Sequence, residues 1–391
     1  MSLDDTTIRD LIDFTDEHGV LSFYAGHTPA QAADPQPTAP IEIRNQLKAL
    51  RSELADRDGE TGKAVAARLD ELGPDIDALV DPKAHGRGRA LFVGVDSGRL
   101  EQVALQIPFK ERVVHHERAF VRPLVAAHDE GRAAGVLVVS RSGARLLRWS
   151  LGEVTELETY TFEVSGDVSR QKSGPTPAQP QHPGQGTSHK ERFEERIDEH
   201  RHRFLRQVAE EATQRIKEHG WDRLVLSAPP KMRDEMGDIL GQDGYRLLTA
   251  EQAWEDAAPH EIAEAMWPLL RSVHLDRERE LTEAAVSRAL GGQAGAVGLR
   301  NVCAALNEGR VSRLLYRSDL EVEGVVSGQG TIHPRVEGHA AEADLEFTRE
   351  PLFVERMIER AVATDAQVTP VDPEVAAQLD EHDGVAALLR W

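Results

Sequence analysis

The chain carries a single cysteine, Cys303, in 391 residues. That excludes a disulfide framework and any cysteine-based zinc site, and it predicts a reducing, cytoplasmic setting. No apolar run approaches the roughly 18 residues that a membrane span needs. Asp4 and Asp5 stand where a secretory leader would carry Lys or Arg, so no membrane partner is expected. A complete phosphate-binding loop is missing too: Asp58-Gly59-Glu60-Thr61-Gly62-Lys63 has the wrong spacing and follows no strand. No dinucleotide fingerprint or nucleophile elbow occurs, and no cofactor is expected. Positive charge is short overall, 46 Lys+Arg against 67 Asp+Glu for a formal charge of -21. Such a surface would repel a phosphate backbone as a whole, which leaves room only for a local basic site.

The length fits two or three domains, and shifts in composition favour three α/β domains, at 1–129, 130–251 and 252–391. The first holds a helix over Thr6 to Glu17, a strand at Val20 to Tyr24, and a Pro-rich loop at Gln31 to Pro40. Helices follow at Ile41 to Ala55 and Thr61 to Leu72, then strands at Arg89 to Val95 and Leu100 to Leu105. Asp96-Ser97-Gly98 reads as the hairpin turn between those strands. The second domain opens with a hairpin, Gly135 to Ser140 and Ala144 to Ser150 around Arg141-Ser142-Gly143, and a third strand at Val154 to Thr161. Residues 165–188 contain Pro175, Pro177, Pro180 and Pro183 among Gly, Gln and Ser. They cannot bury enough apolar surface to offset their ordering entropy and are expected to form a long mobile loop. A helix from Ser188, its expected N-cap, to Glu218 carries an apolar stripe of Phe193, Ile197, Phe204, Val208, Ala212 and Ile216. With the strand Leu224 to Ser227, this order implies a mixed sheet packed by the long helix. The third domain reads as a small α/β sandwich. It has helices at His260 to Leu290, around Val302 to Leu306, and at Phe353 to Ala363, and strands at Val311 to Tyr316, Gln367 to Val371 and Val385 to Trp391.

Histidine is the natural place to look for a metal site. Four of the 16 histidines fall between His182 and His202. His200 and His202 point apart on a helix, however, so solvated helix-face histidines are expected, as for His115-His116, and no metal site is assigned. The loop-to-helix junction is more informative. From Ser165 to Arg206 it has eight Lys/Arg against six Asp/Glu, a locally basic stretch within an acidic chain. Glu194, Glu195, Asp198 and Glu199 interleave with the arginines, so a salt-bridged solvent face competes with a nucleic-acid contact.

Pro183-Gly184-Gln185-Gly186, leading into Glu191-Arg192-Phe193 and on to Val208-Ala209-Glu210, resembles the central domain of archaeal and eukaryotic class-one release factors. There, a Gly-Gly-Gln loop precedes a helix of this style. The flanking strands and the closing Gly384-Val385-Ala386-Ala387-Leu388-Leu389-Arg390-Trp391 are similar to the bacterial branch of that superfamily, which includes Pelota-like proteins. The resemblance implies a ribosome-associated factor that hydrolyses peptidyl-tRNA on stalled ribosomes. Gln185 would orient water and stabilise the oxyanion, with Gly184 and Gly186 allowing close approach. His189, Lys190, Arg192, Arg196, Arg201 and Arg203 would meet RNA phosphates. The implied partners are the ribosome, through rRNA and peptidyl-tRNA, and a translational GTPase as a further candidate. Two departures matter. Pro183 replaces the first glycine, fixing φ and removing a donor. No Thr-Ala-Ser-Asn-Ile-Lys-Ser run, the family's codon-reading signature, occurs in the first domain. Ribosome rescue, or non-catalytic occupancy of the A site as in hibernation factors, is therefore implied in place of stop-codon reading. The literal Gly291-Gly292-Gln293 follows a helix and is expected to be an ordinary C-cap in a helix–helix turn.

Overall fold

In the computed structural model the apolar run at 88–94 becomes a strand buried along its whole length, and its neighbours assemble around it. The structure describes residues 3–27, 38–56, 59–162, 187–241, 244–334 and 347–391. They form two units: Met1–Gly131 together with Arg271–Trp391, and Arg132–Leu270. The chain is mixed α/β throughout.

In the first unit, β1 (Thr15–Gly26), β2 (Gly88–Gly94), β3 (Leu100–Leu105) and β4 (Arg112–Arg118) form an antiparallel sheet in the order β3-β2-β1-β4. Side-chain alternation sends Leu21, Phe23, Leu91 and Val93 to one face. There they meet Ile43, Val65 and Leu69 from the helices Thr38–Asp56 and Glu60–Glu71. On the other face the Tyr24 ring meets Phe92, Phe109 and Phe120 edge-on. The helix expected over Thr6 to Glu17 is shorter, Asp5–Ile12. Asp4 caps its start by accepting the Thr7 N–H at 2.8 Å. Glu17 instead lies on β1, because Asp16 is drawn to the β2–β3 turn, accepting the N–H groups of Asp96 (2.7 Å) and Ser97 (3.1 Å). Gly98 takes φ +64° in that turn, as the hairpin expectation requires.

The C-terminal part of this unit places β10 (Gly295–Val297), β11 (Val311–Arg317), β15 (Gln367–Val371) and β16 (Val385–Leu389) in a sheet of order β10-β16-β11-β15. A three-stranded sheet follows the order β13-β12-β14, from β12 (Gly324–Ser327), β13 (Ile332–Pro334) and β14 (Phe347–Glu350). The turn at Gly291-Gly292-Gln293 does cap the helix Pro259–Leu290. Gly291, Gly292 and Gln293 donate to the carbonyls of Ser287, Ala289 and Arg288, and Gly292 has φ +68°. It then leads into β10, making a helix–strand turn and not the expected helix–helix turn.

The second unit is one mixed sheet, order β7-β6-β5-β8-β9, from β5 (Ala134–Val139), β6 (Gly143–Ser150), β7 (Glu153–Thr161), β8 (Arg223–Ser227) and β9 (Arg246–Thr249). β5 and β6 form the expected hairpin, while β8 runs parallel to β5 because the helix Thr187–His219 carries the chain across the sheet. That helix starts one residue before Ser188 and lays Leu205, Val208, Ala209, Ala212 and Ile216 on Leu137, Leu146, Leu224 and Leu226. The opposite face, with Val136, Leu147, Trp149 and Val225, is covered by Trp254, Ile262 and Met266. A Schellman cap closes the long helix. Gly220 at φ +64° donates to the Lys217 carbonyl, and Trp221 donates to that of Ile216.

Candidate functional site

β7 ends at Thr161, the described chain stops at Phe162, and it resumes at Thr187 with the long helix. Gly184, Gln185 and Gly186 lie outside the described residues. His189, Lys190 and Arg192 belong to the helix, but their side chains are likewise outside what is described. Phe162 donates its N–H to the Ser142 carbonyl at 2.8 Å, and its ring packs at a tilt of 57° with its centroid 5.3 Å from that of Phe204. The Arg201 guanidinium lies 5.9 Å from the Phe162 ring centroid and reaches Asp198 at 3.2 Å.

A cleft of about 980 Å³ opens here, between the helix Thr187–His219, the β5–β6 turn and the start of the helix Pro230–Leu240. Its cations are Arg141, Arg196, Arg201 and Lys231, and its acids Glu195, Asp198, Glu199 and Glu235. Four charges of each sign line it, so its formal sum is near zero and any attraction for phosphate depends on arrangement. His202 binds Glu235 through Nδ1 at the cleft's floor. Of the three expected RNA-contact residues whose side chains are described, Arg196 and Arg201 line this cleft. Arg203 is exposed, outside it, and makes no ion pair among the described residues. An exposed guanidinium on a rigid helix costs folding little and can donate in a fork to a phosphate.

Sequence reasoning missed Arg141 and Lys231, because the turn and the second helix meet the basic segment only through the fold. It also missed a short self-similarity: Gly184-Gln185-Gly186-Thr187 with His189 recurs as Gly328-Gln329-Gly330-Thr331 with His333. The described copy is the tip of the β12–β13 hairpin, with Gln329 exposed and Gly330 at φ +78°. The hub of that turn is Ser327, whose hydroxyl accepts the N–H of Gln329 (3.3 Å) and Thr331 (3.1 Å). Pro183 holds the corresponding position in the other copy, so the hydroxyl-centred bonds do not transfer with the string.

The histidine pair His115-His116 departs from its expectation. Both residues lie on β4, an edge strand, and not on a solvated helix; the β-branched pair Val113-Val114 before them suits a strand. His115 Nε2 is 2.8 Å from the His18 carbonyl, and His116 Nε2 is 2.9 Å from Glu350 Oε1. Around the second contact, Arg356 pairs with Glu350, Glu117 and Glu359 at 2.7, 2.7 and 2.9 Å. Burial opposes ionisation of Glu350, but the bonds from His116 and Arg356 outweigh it and hold the carboxyl down at about 2. Glu355 is the reverse case. Burial pushes it up to about 7, although it accepts the N–H groups of Val121 (3.1 Å) and Arg122 (3.3 Å) at the start of the helix Arg122–Glu130.

No curated protein matches this chain in sequence. Among solved structures, the chain is similar to the archaeal translation termination factor aRF1 at 18% identity, over 99% of this chain and 96% of that one, with a TM-score of 0.24. It is similar to archaeal Pelota in a ribosome-bound model with ABCE1 at 14% identity, over 100% and 95%, with a TM-score of 0.44. Dom34 of S. cerevisiae, described as a translation termination-like factor interacting with Hbs1, shares 9% identity over 78% and 79%, with a TM-score of 0.39. Among the described residues, no helix is long and apolar enough to cross a membrane. The family model of bacterial archaeo-eukaryotic release factor family 10 matches residues 120–267. That span includes the second unit up to Trp267 and the residues that line the cleft, and over it the chain is similar to this bacterial family of the release-factor and Pelota type.

Proposed function

We propose that this protein acts on the ribosome as a release-factor-like factor, with the segment 163–186 presenting Gln185 to the ester of peptidyl-tRNA on stalled ribosomes. The observation that carries the reading is the family match over 120–267, which spans that segment and the helix that follows it. In this reading Gly184 and Gly186 give the tip room among rRNA, while Gln185 orients the attacking water and steadies the oxyanion. Arg196, Arg201 and Arg203, with His189, Lys190 and Arg192 before them, hold RNA phosphates, joined by Lys231 and Arg141 across the cleft. The ribosome supplies the rest of the catalytic surroundings, and a translational GTPase would deliver the factor.

A second reading, non-catalytic A-site occupancy, is favoured by Pro183 at the position of the first glycine, where it restricts the tip. Release of peptide from purified ribosome–peptidyl-tRNA complexes separates the two. Gln185→Ala should abolish release, while Gln329→Ala, the same residue on the described hairpin tip, should leave it unchanged. Equal release by wild type and Gln185→Ala would overturn the catalytic reading. No release by either, with retained ribosome binding, would establish occupancy. Failure to co-sediment with ribosomes at low salt would overturn both.

A further inference from the structure

We propose that Asp129, His274 and Glu278 form a binding site for one divalent transition-metal cation, with Zn²⁺ the best match. His274 and Glu278 are one turn apart on the helix Pro259–Leu290 and so project from one face. Asp129 arrives from the helix Arg122–Glu130. One ligand atom from each residue lies within 4.8 Å of the others. A tetrahedral cation holding its ligands at roughly 2.0–2.2 Å keeps them about 3.3–3.6 Å apart, so the three groups would close on it by about 1 Å at most while the His274–Glu278 pair opens slightly. An imidazole nitrogen with two carboxylate oxygens suits Zn²⁺; Mg²⁺ and Ca²⁺ prefer an all-oxygen shell.

The surroundings are those of an interior site. Asp129 and His274 are each 8% exposed and Glu278 1%. His274 Nε2 lies 2.9 Å from Glu278 Oε1, a contact bridged by a proton in the place where a cation would bind. A cation in that place would take the Nε2 lone pair of the imidazole and a carboxylate oxygen together. Glu278 is oriented by Asp372, whose N–H donates to Oε2 at 2.9 Å. Arg277 donates to both Asp129 oxygens, at 3.1 and 3.3 Å, each of which keeps a further lone pair for a metal.

An independent observation points the same way. Thr282, 1% exposed, stands one turn beyond Glu278 on the same helical face, and its hydroxyl has no hydrogen-bond partner among the described residues. Helical side chains lean toward the N-terminus, so this hydroxyl leans toward the Glu278 turn, where a metal-bound water would satisfy it. Buried polar groups are rarely left unpaired, and the missing partner needs a source.

The test uses the full chain, stripped with a chelator and titrated with ZnCl₂ against a chromogenic competitor. One tight Zn²⁺ per chain is expected, with a raised thermal midpoint; Mg²⁺ should neither bind tightly nor raise the midpoint. His274→Ala should weaken binding by more than about 100-fold, beyond the loss of a supporting group. Should that variant fail to fold, Asp129→Asn serves in its place, and in wild type Co²⁺ should give the visible absorption of a low-coordinate N/O site. Thr282→Val should weaken Zn²⁺ by about 10-fold. Absence of tight binding in wild type, or equal binding by wild type and a folded ligand variant, would overturn the assignment and leave Asp129, His274 and Glu278 as a buried ion-pair cluster.

Discussion

Two arginine-rich regions of this chain put the same side chain to opposite uses. In the first unit Arg356 is 9% exposed and meets Glu350, Glu117 and Glu359. In the second, Arg196 and Arg203 stand exposed on the long helix, and the nearby Arg201 has one carboxylate at 3.2 Å. Local charge content separates the regions poorly; burial and the number of partners separate them well. A guanidinium buried among carboxylates is committed to the fold, because removing it strands charges in a low dielectric. Arg203, held in water by a rigid helix and without an ion pair among the described residues, can meet a phosphate.

The largest expected effect tests the committed side. Arg356→Ala leaves Glu350, 4% exposed, with only the His116 imidazole and the Leu352 N–H as partners among the described residues. The expected destabilisation is about 3–5 kcal/mol, the cost of breaking a buried pair from one side. Urea unfolding at neutral pH measures it. A loss below about 1 kcal/mol would mean that the network is as dispensable as a surface pair and would erase the contrast.

Proton linkage gives the next effect. Glu355 is raised from 4.5 to about 7 by burial, so the folded state holds this proton more tightly than the unfolded chain does. Its contribution is fully present below pH 4.5 and is lost as pH rises through about 7, on the order of 3 kcal/mol. Glu350, held at about 2, works in the opposite direction: its contribution is present above pH 4.5 and fades as pH falls toward 2. Unfolding free energies from pH 3 to 8 should therefore lose most of their decline between 4.5 and 7 in Glu355→Gln. An unchanged slope in that variant would place the linkage elsewhere.

Arg201 is intermediate. It faces the Phe162 ring and pairs with Asp198, yet its buried Nε has no hydrogen-bond partner among the described residues. Arg201→Ala should cost about 1 kcal/mol through lost stacking and packing. Arg201→Lys should recover little of it, because an ammonium lacks the planar face. Full recovery by Lys would assign the whole effect to charge.

Much of the second unit was legible because its signals are local. The apolar alternation around Arg141-Ser142-Gly143 specifies a hairpin, and the stripe ending at Ile216 specifies a helix closed by Gly220. The strand β4 was not legible, since Val113-Val114-His115-His116 is half-buried and lacks a clear apolar period. The helices Gly73–Val80 and Pro230–Leu240 had no bounds from sequence, although each carries a proline suited to a first helical turn. The site divides in the same way. Arg196 and Arg201 could be chosen from sequence, whereas Lys231 and Arg141 join them only once β8 lies beside β5. Asp129 and His274, 145 positions apart, carry no sequence signal for their proximity beyond the His274–Glu278 spacing.

The smallest effect on stability belongs to the exposed arginines, and there the contrast is sharpest. Arg196→Glu with Arg203→Glu should change unfolding free energy by only about 0.5 kcal/mol per site, as surface substitutions do. The added acids meet Glu195 and Glu199 nearby, so any change should be a slight loss that fades with salt. Ribosome binding should respond differently. Each phosphate contact removed lowers the slope of log affinity against log salt by roughly 0.7–0.9, so the double variant should bind more weakly at low salt and show a shallower dependence. Sedimentation with ribosomes across about 50–200 mM salt reads both quantities at once. Wild-type binding in a stable double variant would show that these arginines are solvated surface and nothing more. A stability loss near that of Arg356→Ala would show that they too are committed to the fold, and the two regions would then differ in exposure without differing in use.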